Sequence, residues 1–362
     1  VGLPLIEVKV PGKIMLAGEW SILEPGNVCI VLPVNKFITV QIKESPEIIF
    51  DTESRFCFYA VQNCLQFLTE RGVKTKSFEI TISSEISGSS QRAKPGLGSS
   101  AAVTVAVCKA ILKFHGFDLA SHCHPDCHPE LDSGSTLFKL AFLSHYSASG
   151  KLGSGFDVAA CTYQKPIVYR RFDSTWLSNQ LAYTKKLSDL VLSKWPMLEI
   201  EEIKLPEGMH ILIGFTGKSA STPMLIEKMQ KFKQENLICY QGIIGQINSV
   251  VLDLIQAIYR CDQVKIINLL NQNRDLLIKL GIESGVDLET QELSQLINTA
   301  KSFGAASKIT GAGGGDCAIA VCFDKDVAQK IKTAYKSDML ASMITEAGLY
   351  SSVALTTSLL SF

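Results

Sequence analysis

The chain has 362 residues, 46% of them hydrophobic, with 35 basic and 35 acidic side chains and no net formal charge. That length exceeds what one hydrophobic core usually serves, so two domains are expected, and the apolar share is ample for burial. Balanced charge excludes a global field that would draw in nucleic acid or an acidic membrane, and leaves any anionic ligand to local cations.

In chain order, strand-like runs come first at 6–10, 14–17, 30–32 and 37–42, the last alternating Ile38, Val40 and Ile42. Helical periodicity over 58–68 and a strand over 78–82 follow. A helix begins at Ala101, and a second, over 135–148, leads into a turn at Gly153. Segments 159–163 and 167–172 continue the core, while 176–195 reads as a polar, helical connector. Leu205-Pro-Glu-Gly208 is the expected boundary, dividing the chain into residues 1–200 and 201–362. Beyond it come a strand over 209–215, long amphipathic helices across 221–280, a strand over 317–323 and a helix from Lys325. No run reads as a membrane span and no basic-then-apolar leader opens the chain, so a soluble, cytoplasmic protein is expected. Eleven cysteines, among them Cys29, Cys108, Cys161, Cys239 and Cys322 in apolar stretches, read as small buried hydrophobes without disulfides. The mixture of elements predicts α+β domains packed side by side.

The segment Pro95-Gly-Leu-Gly-Ser-Ser-Ala-Ala102 has the make-up of a phosphate cradle. Gly96 and Gly98 remove side chains that would hold an anion off the backbone. The N–H groups and positive end of the following helix would then face it. Ser99 and Ser100 add hydroxyls for a phosphate oxygen or a magnesium ion. The apolar positions Ala101, Ala102, Val105, Cys108, Ile111 and Leu112 would pin that helix on a core. The stretch is neither a Gly-Lys-Ser/Thr P-loop nor Gly-x-Gly-x-x-Gly, and alone such a stretch more often marks an ordinary turn and cap.

Three further motifs accompany it: Pro11-Gly-Lys-Ile-Met-Leu-Ala-Gly-Glu19, Gly153-Ser-Gly-Phe-Asp-Val-Ala-Ala160 and Lys308-Ile-Thr-Gly-Ala-Gly-Gly-Gly-Asp-Cys317. In this order the set resembles the GHMP kinases. Ala17 to Gly26, Gly214 to Thr222 and Gly311 to Asp316 resemble the phosphomevalonate kinase branch of that family, and the likeness runs over about residues 8–355. It implies a GHMP kinase-like two-domain fold, with an N-terminal ATP-binding domain, a C-terminal GHMP-type domain and the active site in the cleft between them. It further implies ATP and magnesium as cofactors, phosphomevalonate as acceptor, and diphosphomevalonate and ADP as products. A mevalonate or other small-alcohol kinase, or a non-catalytic binding protein of the same fold, are the alternatives. Monomer and homodimer stay equally open.

The resemblance places Lys13 and Asp157 as the catalytic pair and Pro95, Gly96, Leu97, Gly98, Ser99, Ser100 and Ala101 around the nucleotide. It places Lys13, Ser154, Ser221, Thr310, Gly311 and Ala312 near the acceptor. Kinases of this kind act largely by charge neutralisation, which suits a lysine at a strand entrance. Asp157 also reads as a plain first-turn acid; beside an alcohol it could act as base, beside an ionised phosphate it would orient Lys13. Mevalonate kinases carry a magnesium-binding glutamate about three helical turns before this aspartate, where His145-Tyr146-Ser-Ala-Ser149 stands here. Magnesium is therefore expected to rest on Ser99, Ser100, water and the nucleotide. Arg92, Lys94 and Lys151 are candidate cations for the acceptor phosphate, and Arg92 suits it best because a guanidinium binds phosphate bidentately. The run His122-Cys-His-Pro-Asp-Cys-His128 has zinc-ligand chemistry but sits in one short, proline-containing stretch and reads as a surface loop.

Overall fold

The computed structural model describes residues 5–86, 95–118, 133–150, 153–337 and 343–346. Strands β1 (Ile6–Ala17) and β2 (Val28–Glu44) form a long antiparallel pair. The sequence suggests that each is broken near its prolines, yet both run through. Register shifts between Pro11 and Lys13, and again between Met15 and Ala17, bend β1 without ending its ladder. Pro33 lies opposite Lys13 at the first of these shifts, where a missing N–H disturbs the pairing least.

Helix α1 (Arg55–Glu70), strand β3 (Phe78–Ser84) and helices α2 (Ser99–Phe114), α3 (Ser133–Ala148) and α4 (Phe156–Tyr163) follow. After them come β4 (Ile167–Arg170), α5 (Ser174–Tyr183), α6 (Leu187–Leu192) and β5 (Glu199–Glu202). The first sheet has the order β1-β2-β4-β5, with β3 also paired to β2. Helix α2 packs on β1 and β2, and α1 and α3 pack on α2. The expected connector over 176–195 proves to belong to this body. It divides into α5 and α6 and ends in Trp195, which is fully buried edge-on to Phe142 and Phe172 at 5.6 and 5.1 Å.

The second sheet, β7-β8-β6-β9, is antiparallel throughout. It is built from β6 (His210–Phe215), β7 (Ala306–Ile309), β8 (Cys317–Cys322) and β9 (Met343–Glu346). Its helices are α7 (Thr222–Glu235), α8 (Leu237–Tyr259), α9 (Gln263–Ser284), α10 (Gln291–Ser302) and α11 (Lys325–Ser337). Helix α8 corrects the expectation about membrane spans, since its 23 residues and mean hydropathy of 1.3 would suffice to cross one. Here its stripe of Ile243, Ile247, Val250, Leu254 and Ile258 is buried, with α8 packed on α9 and β2. Apolar contact is continuous between the halves: Ile211 and Ile213 of β6 and Leu254 of α8 join the core built on β1 and β2. The nine described cysteines are free thiols, and Cys239, expected to be buried, is only half so at the start of α8.

Two polar contacts fasten the sheets together. Lys308 of β7 is fully buried and ion-paired with Glu19, and also donates to the carbonyls of Leu16 at 3.3 Å and Ile309 at 2.8 Å. The Thr310 hydroxyl donates to the carbonyl of Met15 at 2.8 Å.

Candidate active site

The phosphate-loop motif lies between the two fastened sheets. Gly96 and Gly98 have φ of +68° and +76°, a left-handed backbone that side chains rarely adopt. Helix α2 starts at Ser99 with no side-chain cap, and Pro95, Leu97 and, in its first turn, Ala101 are buried. The first-turn N–H groups of such a helix lack intrahelical acceptors and form a ready anion site.

Lys13 meets this loop in mid-strand rather than at a strand entrance, because the β1 bulge re-aims it. It is 8% exposed. Its backbone N–H donates to the Leu97 carbonyl at 2.9 Å and its Nζ to the Gly96 carbonyl at 3.0 Å. The ammonium lies 5.4 Å from the centre of the Phe156 ring, one residue before Asp157. A Cβ on Gly98 would come within 2.9 Å of the Lys13 side chain, so the glycine is what lets the cation lie along the loop.

Asp157 stands in the first turn of α4, behind Gly155 at φ +90°. Its Oδ1 accepts from the Val158 N–H at 2.9 Å, and its Oδ2 lies 4.0 Å from His145 Nε2. That same nitrogen is 3.2 Å from the Ser100 hydroxyl, and the imidazole stacks on Phe56 at 5.0 Å. A buried histidine thus joins the loop serine to the aspartate, a link that sequence reading registered only as a missing carboxylate. Ser154 is buried close by, its carbonyl accepting from the Tyr169 hydroxyl at 2.6 Å.

From the second half, the Gly311–Asp316 loop closes on the same place. Gly311, at φ +76°, borders open space, whereas a Cβ on Gly313 would meet the Leu288 carbonyl at 2.4 Å. Asp316 itself has φ +58°. Its Oδ1 accepts from the Ala220 N–H at 3.0 Å, and its Oδ2 lies only 2.6 Å from where a Gly96 Cβ would be. Burial pushes this carboxyl above the ordinary range, against the pull of the Ala220 N–H and the Lys13 ammonium. The next residue, Cys317, donates its S–H to the Pro95 carbonyl at 3.1 Å.

The fold therefore gathers Lys13, the 95–101 loop, Ser154 and Asp157 from the first half. Gly311 and Ala312 share their loop with Asp316, a carboxylate absent from the expected set although it follows the glycines directly. Thr310 spends its hydroxyl on β1, and Ser221 is exposed at the start of α7. Arg92, Lys94, Lys151 and the His122 to His128 run lie outside the described residues. Among the described residues no group of three or more His, Cys, Asp or Glu side chains could hold a metal by itself. Hydroxyls at Ser99 and Ser100 and single carboxylates at Asp157 and Asp316 suit a hard cation that takes most of its ligands from phosphate and water.

Comparison with known proteins agrees with this architecture. The family models "GHMP kinases N terminal domain" and "GHMP kinases C terminal" match residues 58–165 and 254–341. A phosphomevalonate kinase of Streptomyces sp. is 26% identical, over 86% of this chain and 88% of its own. The Lin0012 protein from Listeria innocua superposes with a TM-score of 0.84 at 32% identity, covering 95% of this chain and 98% of that one. The Streptococcus pneumoniae phosphomevalonate kinase, solved with phosphomevalonate and AMPPNP, gives 0.80 at 25% identity, with 94% and 99% covered. With models matched in both halves and a relative at 32% identity along nearly its whole length, the chain belongs to the GHMP kinases.

Proposed function

We propose that this protein transfers the γ-phosphoryl group of ATP to phosphomevalonate, giving diphosphomevalonate and ADP. The observation that carries the reading is a buried lysine laid against the phosphate loop, Lys13 Nζ on the Gly96 carbonyl, in a chain alike from end to end to a kinase solved with phosphomevalonate and a nucleotide analogue. Two anions must meet in such a reaction, and the gathered groups are those that reduce their repulsion. N–H groups at the start of α2 would hold the nucleotide phosphates. Lys13 would stand between the γ-phosphate and the acceptor.

The acceptor phosphate is mostly dianionic near neutral pH and already a nucleophile. One of its oxygens forms the new P–O bond as the bond from the γ-phosphorus to the ADP oxygen breaks, and no proton need be removed. Asp157, tied to Val158 N–H and close to His145, is accordingly a positioning group in this reading. Ser99 and Ser100 would hold magnesium, which when bound contributes further charge neutralisation at the phosphates. Ser154, Ser221, Gly311 and Ala312 are assigned to the acceptor side.

ADP release with ATP and magnesium, measured against mevalonate, phosphomevalonate, homoserine and galactose, tests the reading. Turnover confined to phosphomevalonate is expected. Turnover of mevalonate instead would reassign the acceptor, and silence with all four would favour a non-catalytic binding protein.

A further inference from the structure

We propose that Asp316 is a further ligand-facing carboxylate of this site, contributed by the second half of the chain, which admits nucleotide phosphates together with magnesium and repels them bare. The proposal rests on the reading above that the Gly96 loop holds those phosphates.

Three observations carry it. The first is conformational. Asp316 ends a run in which Gly311, Gly313, Gly314 and Gly315 all have positive φ, and it has positive φ itself. Glycine would adopt that backbone without strain, and a carboxylate stands there instead, Asp being with Asn one of the few side chains that tolerate it. Second, the path of the loop is also held by backbone bonds beside the one the carboxylate makes. The Asp316 N–H donates to the Lys218 carbonyl at 2.8 Å, and its own carbonyl accepts from the Thr216 N–H at 3.0 Å. Third, the placement is specific. One oxygen is held by the Ala220 N–H while the other stands against Gly96, at the glycine whose bare backbone makes the cradle.

A fixed negative charge at the mouth of an anion cradle opposes phosphate binding. The Lys13 ammonium offsets it in part, but Lys13 already donates to the Gly96 carbonyl. A divalent cation carried in by the nucleotide reverses the sign, turning Asp316 from a repelling group into one that attracts the metal through a hard oxygen. The carboxylate then acts as a filter that selects the metal–nucleotide complex over free nucleotide.

Asp316→Asn removes the charge while keeping an oxygen for the Ala220 N–H and a residue type that tolerates left-handed backbone. Calorimetric titration of the full chain with ADP and with a non-hydrolysable ATP analogue, in millimolar magnesium and again in EDTA, reads the effect without turnover. The variant is expected to bind metal-free nucleotide more tightly and magnesium nucleotide more weakly than the parent. The ratio of the two affinities should fall by about tenfold, a typical result of removing one unit charge at short range. An unchanged ratio, with both affinities equal to the parent's or shifted in step, overturns the proposal. Should Asp316→Asn fail to fold, Asp316→Gly, free of strain at this backbone, takes the same comparison. A parent that binds nucleotide in neither condition refutes the nucleotide loop itself, and this proposal with it.

Discussion

At the scale of single residues, the difference between Lys13 and Asp157 distinguishes an ionised acceptor from an alcohol. Lys13 is buried with its ammonium on the phosphate loop, whereas both Asp157 oxygens face neighbouring protein groups, Val158 N–H and His145. Lys13→Ala is expected to lower the single-turnover rate with phosphomevalonate by about 10²–10³-fold, as loss of a charge acting on the transition state does. Asp157→Asn keeps the shape and should lose far less. Rapid-quench measurements on both variants decide the matter. An aspartate variant as inactive as the lysine variant would mean that a base is needed after all.

Among the elements, α6 depends on a neighbour for its start. Its N-cap position, Lys186, provides no side-chain cap, and the carboxylate of Glu70 at the end of α1 instead accepts from the N–H groups of Ser188 at 2.7 Å and Leu187 at 3.2 Å. Burial raises the Glu70 carboxyl, but hydrogen bonds from Ser188, Gln66 and Leu187 outweigh it and leave the group below its ordinary value of 4.5. Glu70→Gln should cost about 1 kcal/mol near neutral pH, the usual worth of a helix N-cap. A carboxyl depressed in the folded state stabilises above its ordinary pKa, and that contribution is lost as pH falls through the folded value. Urea midpoints of parent and variant should therefore differ near neutrality and converge in acid. A gap that persists at low pH would show that shape rather than charge caps the helix.

For the molecule as a whole, the Glu19–Lys308 pair binds the two sheets at a fully buried point. Burial raises the glutamate and lowers the lysine, each opposed by attraction to the other, so neither charge is stable there without its partner. Lys308→Met should cost about 3–5 kcal/mol, because it strands a buried carboxylate. The double change Glu19→Gln with Lys308→Met should cost less than the sum of the single changes. Urea unfolding of the three variants checks both statements, and additivity would mean that the two groups do not stabilise each other.

Local chemistry was legible in the linear chain wherever it rested on neighbours in sequence. Gly96 and Gly98 need left-handed backbone, and the apolar positions after Ser99 run at helical spacing, so the loop and the helix behind it follow from a dozen residues. Strands β1, β2 and β3 and helices α7, α8, α9 and α11 were readable in the same way, whereas β5 and α10 were not. Strand β7 was not, because its four residues are all buried yet include Ser307 and Lys308, whose polarity hides the pattern until partners 12 and 289 positions away satisfy it. Whether Lys308 belonged to the site or to the frame, that Asp316 would stand on Gly96, and that His145 would link Ser100 to Asp157 were decided only by tertiary structure. A glycine's conformational freedom is a property of its own backbone, but the energy of a buried charge depends on which distant group comes to face it.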